Sequence, residues 1–414
     1  MIHIAILGYG TVGSGVAEVL ATNMQTISGR VDKTINIKYI LDLRDFPDSP
    51  YGEKHVKDFS IIDNDPDIKI VVEVMGGSGA AYQFTKASLE KGRSVVTSNK
   101  ELVALHGAEL LSIAKKNNTN YLFEASVGGG IPIIKGINQC LAANKIEEVY
   151  GILNGTTNYI LSKMVQEGST FEYALKEAQE LGYAEADPTA DIAGIDAARK
   201  ICILTSLSTG LHFYPETMQT TGITKISQSD IAMAKRMGRV IKLLGRAVIS
   251  DEGKVCAVVA PFLIEQTHPL APVEDVNNAI LVKGNVIGQC MFYGPGAGKL
   301  PTASAVVADI MDAAKHTERR ICIDWVNPSE NMIDDGASVL TDLYLRISNR
   351  QHTLPDVLEA VTKVFGGNYS ILSAESDDFY AIILKDQPYK TLEDNVKKLE
   401  KMDILVKNYI RMLK

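Results

Sequence analysis

No two cysteines in this sequence form a CxxC pair, and the five present (Cys140, Cys202, Cys256, Cys290 and Cys322) are scattered and odd in number. That excludes a disulfide framework or a thiolate metal site, and it fits a reducing, cytoplasmic setting. The seven histidines are equally dispersed, with no i, i+4 pair, so no zinc centre is expected. Positive charge is in deficit: 42 Lys and Arg against 50 Asp and Glu leave a formal net charge of −8. Nucleic acid and anionic membranes are therefore not expected partners. Long apolar runs are missing too. Stretches such as Val255 to Ile264 fall far below the ~20 residues of a membrane helix and contain Pro261. Met1 leads directly into Ile2 to Leu7 with no basic leader or small-residue cleavage site, so no secretory signal is expected. Internal repeats and low-complexity segments are absent.

What is present is ordinary globular composition, 46% hydrophobic and 22% charged, over 414 residues. This length predicts two or three domains, each able to bury a core. Short apolar runs alternate with helical patterns through the first third: Ile2 to Leu7 then Val12 to Thr22, Ile35 to Leu41, Lys69 to Met75 then Ala80 to Lys91, Ser94 to Thr97 then Glu101 to Lys116, and Tyr121 to Phe123. The pattern predicts an α/β, Rossmann-type doubly wound domain over residues 1–125. Residues 126–335 read as an α+β domain. Helical patterns and the run Val149 to Leu153 give way to long strands between Arg239 and Gly294, and a helix over Thr302 to Lys315 follows. Its open sheet offers an edge or face that a second copy can cover, so a homodimer or higher homo-oligomer is expected. Beyond the Asn327-Pro328-Ser329 and Asp334-Asp335-Gly336 linker, residues 340–414 read strand (Asp342 to Ile347), helix (Leu354 to Phe365), strand (Tyr369 to Ala374), strand (Asp378 to Leu384), helix (Leu392 to Lys401) and a last apolar run. That order is the ferredoxin-like plan.

Gly8-Tyr9-Gly10-Thr11-Val12-Gly13 sits between a predicted strand and a predicted helix. Its glycines permit the tight turn, the approach of a pyrophosphate and close helix packing, and the helix N-terminus favours the negative charge. A bare GxGxxG is weak; here the surrounding βαβ units make it a dinucleotide site rather than a turn that merely packs. Asp42, ending the second strand, suits the adenine ribose of NAD, whereas Arg44 suits the 2′-phosphate of NADP. Two solvated charges would be the plain alternative, and the cofactor choice stays open. Gly76-Gly77-Ser78-Gly79 and Thr97-Ser98-Asn99-Lys100 end later strands at the carboxyl edge, where ligands bind in such sheets. Gly76, Ser98 and Lys100 join the cofactor candidates on that ground, although a lysine opening a helix is ordinarily solvent-exposed.

Between Gly182 and Asp191, Glu185, Asp187 and Asp191 crowd around Pro188, ahead of a helix carrying Asp196, Arg199 and Lys200. Asp196 and Lys200 are spaced i, i+4 and share a helix face; as a surface pair they would be worth only a few tenths of a kcal/mol. The apolar Ile201-Cys202-Ile203-Leu204 that follows points instead to a buried helix, and the surplus acid to a site completed by a cationic ligand group.

These segments, in order with Phe123-Glu124-Ala125-Ser126-Val127-Gly128-Gly129-Gly130-Ile131-Pro132 and Gly151-Ile152-Leu153-Asn154-Gly155-Thr156-Thr157-Asn158, closely resemble homoserine dehydrogenases over residues 1 to about 320. The run Leu181 to Pro188 with Asp196-Ala197-Ala198-Arg199-Lys200 behind it is the most specific part. The resemblance implies NAD(P)-dependent interconversion of L-aspartate 4-semialdehyde and L-homoserine, in threonine and methionine biosynthesis. Lys200 is implied as the proton donor and acceptor, with Lys100 and Asp196 assisting. Glu185, Asp191 and Asp196, with Gly155 and Thr156, are implied to bind the substrate. It further implies a monovalent cation, Na+, at Glu124 and the backbone of Val127, Gly129 and Ile131, a hard ion suited to oxygen ligands. Gly294-Pro295-Gly296-Ala297-Gly298 resembles the late glycine turn that brings the chain, and a helix over about 302–320, back to the cofactor. The tail resembles an ACT regulatory domain, which implies a threonine effector, but Thr353-Leu354-Pro355-Asp356 lacks the glycine of the usual Asp-x-Pro-Gly turn.

Two competing readings are weaker. Aspartate-semialdehyde dehydrogenase chemistry needs a thiol nucleophile, and none of the five cysteines lies in a predicted active-site loop. A nucleotide- and amino-acid-binding regulator without catalysis would not need Lys200 and Asp196 intact.

Overall fold

The computed structural model describes residues 1–329, 331–372 and 378–414. Sixteen strands follow one another along these residues: β1 (Ile2–Leu7), β2 (Ile35–Leu41), β3 (His55–Val56), β4 (Ile68–Glu73), β5 (Ser94–Thr97), β6 (Tyr121–Leu122), β7 (Ile146–Ile152), β8 (Gln219–Thr220), β9 (Arg239–Ile249), β10 (Val255–Glu265), β11 (Asn277–Gly284), β12 (Gly288–Pro295), β13 (Leu340–Ser348), β14 (Tyr369–Leu372), β15 (Phe379–Pro388) and β16 (Val406–Met412). The chain folds into two compact units that share its length in alternation. The first holds Met1–Val149, Arg199–Thr217 and Asn277–Asn331, and the second holds Tyr150–Ala198, Met218–Val276 and Met332–Lys414. This differs from three consecutive domains. The segment after residue 340 packs in one unit with residues 218–276, because β16 adds to β10 in parallel. Among the described residues no helix is long and apolar enough to cross a membrane.

The first unit is built on a parallel sheet of order β3-β2-β1-β4-β5-β6. Its central strands are apolar on both faces: Ile4, Ala5, Ile6 and Leu7 of β1 and Ile70, Val71 and Val72 of β4 are buried, as a sheet covered by helices on both sides demands. Order reverses between β1 and β4, which opens a crevice at their carboxyl ends. The helix Lys299–Lys315 packs on the helix Thr11–Thr22, where Gly15 leaves room for Lys299 and Ala303. The two-residue strand β3 and the helix Met24–Val31 carry too little periodicity to be read from the sequence.

In the second unit the strands run β9-β10-β16-β13-β15-β14, with β8 also beside β10. The tail strands pair with one another antiparallel, and with the helices Leu354–Phe365 and Leu392–Lys401 they complete the ferredoxin-like order. Of the strand expected from Tyr369, Ser373 and Ala374 lie outside the described residues. A buried ion pair fastens this tail to the rest of the unit. Arg346 of β13 donates from Nε and Nη2 to the two oxygens of Asp230, at 2.8 and 3.1 Å. Asp230 also accepts from Ser227 and from Asn408 of β16.

Removing one partner of such a pair strands a buried charge. Arg346→Met is expected to destabilise the second unit by about 3 kcal/mol, the low end for a broken buried pair because the Ser227 and Asn408 donors remain. A urea titration followed by tryptophan-independent far-UV signal checks this; an unchanged midpoint contradicts it.

Candidate active site

In the first unit the loop after β1 is shaped by backbone proximity. A Cβ on Gly13 would lie 2.0 Å from the Gly8 carbonyl oxygen, so only glycine lets the helix Thr11–Thr22 start so close to the strand. Beside Gly8 and Gly10 lies a cavity of about 440 Å³, walled by Leu41, Leu43, Val74, Met75, Ala80 and Phe84 with Asp42, Arg44 and Lys57 among its polar lining. An apolar slot next to a free helix N-terminus, with cations alongside, fits the adenosine end of a dinucleotide. The two strand-end charges are not independent, however. Arg44 donates to both oxygens of Asp42, at 3.0 and 2.9 Å, and the Tyr9 N–H donates to Oδ2 at 2.8 Å. The Arg44 guanidinium beside Asp42 holds its carboxyl well below the usual carboxylate range. Asp42 is thus engaged, and Arg44 is the exposed charge facing solvent.

The carboxyl ends of β4 and β5 are tied together beneath the loops they carry. Glu73 is fully buried; it accepts from the Met75 N–H at 2.8 Å and from the Thr97 hydroxyl at 2.7 Å. The same hydroxyl accepts from the Asn99 N–H, and the Asn99 amide donates to the Gly77 carbonyl at 2.6 Å. Gly76 and Gly77 both take φ values in the left-handed region, +88° and +67°, which explains the glycine pair. Asn99 caps the helix Lys100–Lys116, so Lys100 is its first residue. Glu101, next along, receives Ser78 Oγ at 3.3 Å and pairs with Arg199 at 3.1 Å. The neighbours of both lysines named from sequence, Lys100 and Lys200, therefore touch within this unit, and Ser98 sits at the same strand end.

In the second unit Asn154 is the hub. Its side-chain oxygen caps the helix Gly155–Gln166 by accepting from the Thr157 N–H, while its amide donates to Asp191 Oδ1 at 2.7 Å and to Asp196 Oδ2 at 2.9 Å. Two of the expected acids are thus brought onto one amide. Asp196 is buried, as is Lys200 one turn further along the helix Ile195–Thr209, in the part of that helix that belongs to the first unit. Glu185 lies exposed in the loop before them. Thr156 is not the helix cap; Asn154 is, and the Thr156 hydroxyl donates to the Tyr183 carbonyl at 2.7 Å, pinning the acidic loop. Gly155 lies where a Cβ would meet the Val276 carbonyl at 2.7 Å. Lys242, buried on β9, braces this corner by donating to Asn158 Oδ1 and to the Val273 carbonyl; burial lowers its amine to about 8.

The loop expected to hold a cation is tied into the backbone around it. Both carboxylate oxygens of Glu124 accept backbone N–H groups, from Ile134 at 2.8 Å and Lys135 at 2.9 Å, so the carboxylate is tied to a helix start. Burial and the nearby Asp309 raise Glu124 to about 7. The Ile131 carbonyl accepts from the Ile133 N–H, leaving Val127 and Gly129 as backbone candidates. Among the described residues no cluster of three or more His, Cys, Asp or Glu is placed to hold a metal ion. Gly298 caps the helix Lys299–Lys315 in the first unit.

A family profile described as "Homoserine dehydrogenase" matches residues 132–311, and one described as "Homoserine dehydrogenase, NAD binding domain" matches residues 8–124. The chain is 42% identical to the homoserine dehydrogenase of Bacillus subtilis over 353 residues, 84% of this chain and 81% of that one. The chain belongs to the homoserine dehydrogenase family. A solved homoserine dehydrogenase from Thiobacillus denitrificans superposes with a TM-score of 0.89 at 36% identity, covering 100% of this chain and 98% of that one. A hyperthermophilic archaeal homoserine dehydrogenase in complex with NADPH matches at 32% identity and a TM-score of 0.65, covering 75% of this chain and 97% of that one.

In the sequence Asn154 stands out only within the Gly151 to Asn158 segment and Glu73 only within the run Lys69 to Met75, and Lys57 carries no signal. For Asn154 a signal existed, since an asparagine between a strand and a helix is a cap candidate; Lys57 enters its cavity only through tertiary packing. The Lys242 brace yields a pH signature. Its folded-state pKa lies near 8 against the ordinary lysine value of 10.5, so between those values the unfolded chain holds more protons and stability rises with pH. As pH falls through about 8 that gain is lost. Lys242→Met is expected to flatten this rise, by up to about 1.4 kcal/mol per pH unit, in urea titrations of both proteins between those pH values; parallel curves contradict the assignment.

Proposed function

We propose that this chain is an NAD(P)-dependent oxidoreductase that interconverts L-aspartate 4-semialdehyde and L-homoserine, with Lys200 moving the proton. The observation that carries the reading is a buried lysine one helical turn after a buried aspartate whose carboxylate is fixed, together with Asp191, on Asn154. When bound, the nicotinamide supplies or accepts the hydride. Lys200 gives a proton to the substrate oxygen during reduction and takes it back during oxidation. Lys100 adds positive charge at the same step. Glu185, Asp191 and Asp196 hold the substrate's ammonium group, and the Gly155–Thr156 helix start orients it.

The glycines of residues 8–13 and Gly76 hold the cofactor diphosphate and ribose. Arg44, with Lys57 across the same cavity, favours NADP: Asp42 is taken up by Arg44 rather than offered to a ribose, and the exposed Arg44–Asp42 and Lys57–Asp45 pairs can turn their cations to a 2′-phosphate. The tail acts as an ACT-type effector domain answering to threonine, supported by its strand order. A homodimer is supported by the exposed apolar residues Val286, Ile287, Met291 and Tyr293 at the β12 edge. For a monovalent cation the fit is poor at the Glu124 carboxylate, and no step depends on one. A regulator without catalysis is not favoured by the family match.

Absorbance at 340 nm with homoserine and each oxidised cofactor tests the reading; no turnover with either, in folded protein, removes it. Lys200→Ala is expected to lower kcat by about a hundredfold or more, the share of a positioned general acid, with cofactor affinity nearly intact. Arg44→Ser is expected to cut kcat/KM for NADP+ relative to NAD+ about tenfold, the loss of a hydrogen bond to a charged group.

A further inference from the structure

Glu73 is a buried carboxylate to which the proposed reaction gives no role. It ends β4, is fully inaccessible, and among the described residues forms no ion pair with Lys, Arg or His. A buried charge without a counter-ion is expensive unless donors converge on it. Here they do: the Met75 N–H and the Thr97 hydroxyl bond it directly, and the Gly76 N–H and the Asn99 side chain also stabilise its charge against the upward push of burial. These donors come from the two loops that leave β4 and β5 on the crevice side of the sheet. The Thr97 hydroxyl has both its roles filled, donating to Glu73 and accepting from the Asn99 N–H, and Asn99 in turn grips the Gly77 carbonyl and starts the helix headed by Lys100.

We propose that Glu73 is a positioning residue: through Thr97 and Asn99 it fixes the Gly76–Gly77 turn and the Lys100 helix start in one register, which sets where cofactor and Lys100 meet. Glu73 touches neither cofactor nor substrate and acts through the backbone it orders. Hydrogen-bonding capacity at residue 97, not bulk, is what the relay requires. Threonine and valine have nearly the same shape, so replacing one by the other removes the link and spares the packing.

This inference rests on the oxidoreductase reading, so wild-type turnover at 340 nm is measured first, and NADPH affinity, from its fluorescence on binding, is measured separately. Thr97→Val and Glu73→Gln are expected to weaken NADPH binding and to lower kcat by about tenfold to a hundredfold, as for small misplacements of reacting groups, with wild-type far-UV spectra. Thr97→Ser, which keeps the hydroxyl, is expected to restore both. Equal values for the serine and valine variants, or wild-type behaviour in Thr97→Val, overturn the proposal. Should Glu73→Gln fail to fold, the Thr97 pair decides. An inactive wild type overturns the functional reading, and the NADPH affinities of the Thr97 pair still decide this one.

Discussion

Two carboxylates of like charge, Asp191 and Asp196, are held on the two hydrogens of one neutral amide, Asn154. Left to themselves such groups repel, and each would turn toward water. The amide orders the two carboxylates against that repulsion and fixes where each one points. Much of the surrounding architecture serves to keep that amide in place. Its oxygen is consumed as a helix cap, Thr156 pins the acidic loop through the Tyr183 carbonyl, and Asn158 is clamped by Lys242 and the carbonyls of Val273 and Asp275.

The same logic, polar groups made rigid by using every hydrogen-bonding capacity, recurs in the first unit. Thr97 and Asn99 each bridge two segments that would otherwise be independent loops. Trp325 and His212 of that unit behave alike: Trp325 donates to His212 Nδ1 at 2.8 Å, and His212 Nε2 bonds the Ala104 carbonyl at 2.9 Å, against the helix that begins with Lys100. Burial keeps His212 below its ordinary range, which suits a neutral ring used as a fixed link.

The parallel sheet, the glycine loop and the alternation of tail elements were legible because strand-length apolar runs and helical periodicity differ plainly, and because glycine placement marks close approach. Lys100 could be set at the head of its helix because Asn99 is a recognisable cap. What escaped the sequence was pairing across distance. Nothing local announces that the Tyr9 N–H engages Asp42, that Glu124 serves the backbone amides of Ile134 and Lys135, or that residues after 340 join the sheet of residues 239–265. The division into units was missed for the same reason, since each unit is assembled from three separated stretches and local composition carries no record of which stretch returns to which.

The addition of β16 to β10 has a further consequence. Phe262 and Leu263 pair with Arg411 and Met412, and the Leu413 N–H donates to the Leu263 carbonyl. While the polypeptide emerges from the ribosome, that stretch of β10 waits with bare amides and carbonyls until residues 411–413, some 150 positions later, have been made. Such high contact order slows folding and exposes a sticky edge in the nascent chain, which makes this strand the place where chaperone capture or misassembly during synthesis would begin.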